Sequence, residues 1–106
     1  MLKHRLTRLA LLGIVAFLAP SIAGAEPVPE EYLAADYELC MEQSAQAPYT
    51  VEQREKYCDC TRDEFAKLSF DEYLQMTGDV LENDLSPTTT AYLQSVDQTC
   101  RAQVAQ

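Results

Sequence analysis

From residue 30 onward the chain spaces its apolar positions by three and four, the period of one face of an α-helix. Leu33, Tyr37, Cys40, Ser44 and Ala47 share a face over 30–47, and "APYT" then breaks the pattern. Thr50 followed by Gln53 is a capping box, so a second helix is expected over 51–68, with Val51, Cys58, Phe65 and Leu68 along its stripe. Ser69 followed by Glu72 opens a third in the same way. Its stripe reads Phe70, Tyr73, Leu74, Thr77, Val80 and Leu81, and Gly78 weakens it. "ENDLSP" closes that helix, and Ser86 with Pro87 at the first helical position launches a fourth carrying Leu93, Val96, Cys100 and Val104. No segment sustains period-2 alternation. The expected fold is therefore all-α, a compact bundle of four short helices joined by short connections, as suits antiparallel neighbours.

The first 25 residues follow a different logic. Lys3, His4, Arg5 and Arg8 precede an apolar run from Leu9 to Ala19, and "SIAGA" follows with small residues at Ala23 and Ala25. This is the pattern of a secretory signal peptide. A bilayer span needs about 20 apolar residues, more than this run has before Pro20 ends it. Cleavage after Ala25 is expected, with a cut after Ala23 as the alternative, and "SIAGA" offers no cysteine for a lipid. The basic start and alanine-rich cut look bacterial, so the destination is the periplasm or the medium. Residues 26–29 then form an extended lead-in, because Pro27 and Pro29 disfavour helix before them. Residues 30–106 form one domain.

Removing the leader takes three of the eight Lys and Arg and none of the seventeen Asp and Glu. Five bases then face seventeen acids, a formal charge of −12. Nucleic acids and anionic lipid surfaces are bound through basic patches, so both are excluded as expected partners, and no stable membrane anchor is expected. The charge suits a cationic partner or simple solubility.

A domain this short buries little surface and generally needs a covalent or metal staple. The four cysteines, Cys40, Cys58, Cys60 and Cys100, supply it in an oxidising compartment. On a helix, residues two apart differ by about 200°, so Cys58 and Cys60 point to nearly opposite sides and cannot readily bond each other. Two pairings remain. If the first two helices form a hairpin turning near Pro48 and Tyr49, Cys40 and Cys58 lie at matching distances from the turn. That favours Cys40 with Cys58 and Cys60 with Cys100, while Cys40 with Cys60 and Cys58 with Cys100 stays open.

Reactive chemistry finds little purchase in the sequence. A catalytic dithiol wants a low-pKa thiolate, but Asp59, Asp63 and Glu64 crowd this pair, with Lys56 and Arg62 only partly offsetting them. A zinc site wants four Cys or His ligands at wider spacing, and the one histidine, His4, leaves with the leader. Asp79, Glu82, Asn83 and Asp84 lack the alternation of a calcium loop and read as a solvated helix end. No cofactor, metal or catalytic residue is expected. Ser44, Ser69, Ser86 and Ser95 lie in no nucleophile motif. Six tyrosines follow the leader, and such side chains fill small cores or anchor interfaces. Tyr57 and Tyr92 flank the core stripes and Tyr49 sits in the turn, which makes these three the candidate exposed anchors for a partner.

The run Tyr57, Cys58, Asp59, Cys60, with one cysteine before it and one after, resembles the Tyr-Cys-x-Cys motif of small secreted helical proteins of Gram-negative bacteria. The resemblance implies a helical, disulfide-bonded domain and no activity. The leading expectation is a non-enzymatic, acidic interaction module that binds another periplasmic or secreted protein as inhibitor, immunity factor or accessory subunit. An acid-stress chaperone is the alternative, and a thiol-disulfide oxidoreductase the third. The sequence does not specify an oligomeric state.

Overall fold

The computed structural model describes residues 25–106, so the leader expected over residues 1–25 lies outside it except for Ala25. Four α-helices follow one another: α1 over Glu30–Gln43, α2 over Val51–Phe65, α3 over Phe70–Glu82 and α4 over Pro87–Val104. Local chemistry sets their starts. The Thr50 hydroxyl accepts from Gln53 N–H while Thr50 N–H donates to the Gln53 side chain, and Ser69 and Glu72 repeat this reciprocal arrangement before α3. Ser86 Oγ caps α4, with Pro87 in the first turn. No side chain caps α1. Pro29 leads into it with extended backbone, and Glu30 and Glu31 in its first turn face the positive end of the helix dipole.

Two helices end earlier than their patterns suggest. The α1 stripe extends to Ala47, but the α-helix stops at Gln43 and one 3₁₀ turn, Ser44–Gln46, replaces its last part. Pro48 is the reason, since it forces the preceding residue out of the helical region, and Ala47 is extended at ψ 153°. The α2 helix stops at Phe65 rather than residue 68. Its last turn tightens through Lys67 N–H to Glu64 O and Leu68 N–H to Phe65 O, both 3.1 Å, and the chain turns into the cap of α3. Asn83, left-handed at φ 55°, ends α3. There Asp84 N–H reaches Asp79 O at 3.0 Å and Asn83 N–H reaches Val80 O at 3.1 Å, the paired bonds of a Schellman motif.

The α2 helix is the axis of the molecule, packed closely by α1 on one side and α4 on the other. Cys58 bonds to Cys40 of α1, and Cys60 bonds to Cys100 of α4, with Cα–Cα distances of 5.7 and 5.5 Å. The 200° offset between positions two apart is what allows one short motif to hold both neighbours. Two staples of this kind fit folding in an extracellular or periplasmic compartment. Among the described residues no helix is long and apolar enough to cross a membrane.

The core has two adjoining parts. One joins Cys60, Val96 and Cys100, and the other joins Val28, Leu33, Tyr73 and Met76; Phe65 and Tyr92 pack against both. Val28 brings the lead-in into the core. Its neighbour Pro27 bridges Ser69, and Phe70 N–H donates to Glu26 O at 2.7 Å, so the extended segment is tied to the start of α3. The α3 stripe differs from the expected one: Tyr73 and Met76 are buried, whereas Leu74, Val80 and Leu81 are exposed. Met76 stands one turn on from Tyr73 on the face that meets α1 and α4, and Leu74 and Leu81 lie off that face. Val51, expected on the α2 stripe, is also exposed, because it lies in the first turn, before α2 enters the core.

Candidate functional site

A concavity opens between α1 and α3. At one end the two helices are held together by aromatic contacts and a hydrogen bond. Tyr32 meets Phe70 edge-on at 5.1 Å and Tyr73 at 6.1 Å, and the Tyr73 hydroxyl donates to Asp36 Oδ2. Burial, then that carboxylate, push the Tyr73 phenol well above its ordinary range. Beyond Asp36 the walls are no longer bridged. A groove of about 610 Å³ lies there, with Met76, Phe65 and Leu93 in its floor and Leu39, Val80 and Leu81 along its margins. Leu81 is 86% exposed, Val80 50% and Leu39 49%, so three aliphatic side chains stand in water around one hollow.

Charge is distributed unevenly around it. The α1 helix carries Glu30, Glu31, Asp36, Glu38 and Glu42, and α3 carries Asp71, Glu72, Asp79 and Glu82; neither contains a Lys or Arg. Bases on other elements answer some of these and other acids. Arg62 pairs with Glu30, Lys67 with Glu64, and Arg101 Nε with Asp97 Oδ2 at 2.8 Å. Arg54 is turned onto the Met41 carbonyl and Ser44 Oγ, capping the end of α1. The two helices that flank the groove are thus acidic and free of bases, while its lining is mostly apolar, with Asp36 the carboxylate on it.

The three tyrosines nominated as anchors do not form one patch. Tyr49 and Tyr57 are neighbours at 6.3 Å, whereas Tyr92 lies 6.3 Å from Phe65 and donates its hydroxyl to Glu64 O at 3.3 Å. All three are half-buried. Tyr57 borders the groove, and its hydroxyl is taken by Asp97. Burial and that bond raise the Tyr57 phenol to about 12, and burial with nearby Glu64 raises Tyr92 to about 12. In turn the Tyr57 bond, helped by Arg101, holds the Asp97 carboxyl below its ordinary value. The aliphatic trio Leu39, Val80 and Leu81 is the feature that sequence reasoning missed. Two of its members were assigned to the core stripe of α3. The excess of apolar residues over what one helix face can bury was the available signal.

Three of the four disulfide cysteines are enclosed. Cys58 and Cys100 are fully buried and Cys60 nearly so, while Cys40 is half-exposed at the edge of the groove. Thr61 Oγ1 sits 3.8 Å from Cys40 Sγ, and Ser44 Oγ 3.9 Å from Cys58 Sγ. The acids read as a solvated helix end have a structural task in part, since Asp79 Oδ2 accepts from Thr89 Oγ1 at 2.8 Å and links α3 to α4. Among the described residues no three His, Cys, Asp or Glu side chains converge on a point that would hold a metal ion. Compared with family models, curated proteins and solved structures, the chain matches none.

Proposed function

We propose that the chain is a secreted, non-catalytic interaction module that acts in the periplasm by binding a basic protein, as an inhibitor, immunity or accessory factor. The observation that carries this reading is the one-sided charge of α1 and α3, nine carboxylates with no base among them, beside an apolar hollow. A surface of this kind speeds encounter with a cationic partner and repels anionic ones. The disulfides and the leader-like first 25 residues support an exported protein. The enclosure of Cys58, Cys60 and Cys100 weighs against thiol exchange, which needs an accessible sulfur.

Capture from periplasmic extract on the immobilised protein, followed by affinity measurement on whatever is retained, tests the proposal. A basic protein whose affinity falls steeply as salt rises is the expected outcome. Retention of no protein, or of partners indifferent to salt, would overturn it.

A further inference from the structure

We propose that the groove between α1 and α3 takes one amphipathic α-helix of a basic partner, its apolar stripe on Leu39, Val80 and Leu81 and its Lys and Arg toward the acidic, base-free helices α1 and α3 that flank it. This rests on the reading of the chain as a binder of basic proteins and adds the place and the form of the contact.

Three properties of the groove select that occupant. The first is shape: the open part of α1 runs from Asp36 to Gln43, about 10 Å of helix, which accommodates the three anchors that an amphipathic helix presents at i, i+3 or i+4, and i+7. The second is chemistry. The floor offers Met76, whose flexible thioether adapts to varied side chains, beside Phe65 and Leu93, so aliphatic anchors would be fully desolvated. The third is charge. A second copy docking through this face would set its acidic, base-free α1 and α3 against the same pair, which is repulsive, and an anionic membrane would be repelled in the same way. A Lys- and Arg-flanked helix meets complementary charge on both sides.

The test uses the purified, disulfide-bonded protein and a synthetic Lys/Leu peptide of about fourteen residues with Leu at amphipathic spacing. A peptide of the same composition in scrambled order and a Glu/Leu counterpart serve as comparators. Binding is followed by calorimetry and by amide shift mapping. The amphipathic Lys/Leu peptide should bind about tenfold more tightly than the scrambled one, with shifts centred on Leu39, Val80 and Leu81, and the Glu/Leu peptide should not bind. Leu39→Asp and Leu81→Asp should each weaken binding about tenfold although they add negative charge. Both side chains are solvent-exposed, so the thermal midpoint of each variant is expected to match the parent, and a folded variant is verified that way.

Equal binding of ordered and scrambled peptides, or no loss in the Asp variants, would overturn the groove while leaving a basic partner in place. So would absence of peptide binding. Shifts at the same three residues on dilution of the protein alone would assign the groove to a second copy and overturn the proposal. If instead the peptide binds as expected and extract yields no basic partner, the groove stands and the wider reading falls.

Discussion

Tyr57 and Arg101 share the Asp97 carboxylate, one oxygen each, and the Tyr57 bond ties α2 to α4 beside the Cys60–Cys100 bond while Arg101 pairs with Asp97 within α4. Tyr57→Phe should cost about 1 kcal/mol at neutral pH, the ordinary net value of one hydrogen bond. The loss should depend on pH in a definite direction. Asp97 has a folded pKa held below its ordinary value by Tyr57 first and Arg101 second, so its contribution is present above the unfolded value of 3.8 and fades as pH falls through the lower folded one. Urea unfolding across acidic pH should show parent and variant converging in that window, and a gap that stays constant would contradict the assignment. The tyrosines act at the other end of the scale. Tyr57 and Tyr92 are raised from 10.0 to about 12, so each contributes stability that is complete below 10 and lost as pH climbs toward 12. Tyrosinate absorbance from these residues should therefore rise at higher pH in the folded protein than in urea.

At the level of single helices, α3 has the most to reveal. Gly78 lies in regular helix with open space where a Cβ would go, so no close contact calls for glycine. Gly78→Ala should raise stability by about 0.5–1 kcal/mol, read as a shift in denaturation midpoint. Met76→Ala should cost about 2–5 kcal/mol, while Leu81→Ala should change stability by less than about 0.5 kcal/mol. That contrast separates the face α3 buries from the face it leaves in water. Helix starts were fully legible in the sequence, because caps act over three residues and both capping boxes and Pro87 declare themselves. Helix ends were less so. The end of α1 was set by Pro48 acting backward on Ala47, and that of α2 by the need to turn into Ser69. Val28 could not be read as core, since a lone apolar residue between two prolines has no periodicity. The groove was illegible for a related reason: it arises from the separation of α1 and α3 beyond Asp36, a relation between distant segments.

In the molecule as a whole, the two disulfides differ in reach and in access. Their sequence separations are 18 and 40 residues, so the chain-entropy account assigns about 3 kcal/mol to Cys40–Cys58 and about 4 to Cys60–Cys100. Paired Cys→Ala replacements followed by denaturant titration should reproduce that order. Mild reductant should instead open Cys40–Cys58 first, because Cys40 is half-exposed while both sulfurs of the other bond are enclosed, and alkylation with peptide mapping would show which thiols appear. The pairing has a further consequence for biogenesis. Counted along the chain, the first cysteine bonds the second and the third bonds the fourth. A polypeptide delivered N-terminus first to an oxidising space presents its thiols in that same order, and Cys40 can find Cys58 before Cys100 has arrived. Cys60 then waits for the last cysteine with its rival already occupied. An oxidase that joins thiols as they emerge would thus produce the native connectivity directly, with no call on an isomerase to undo earlier bonds.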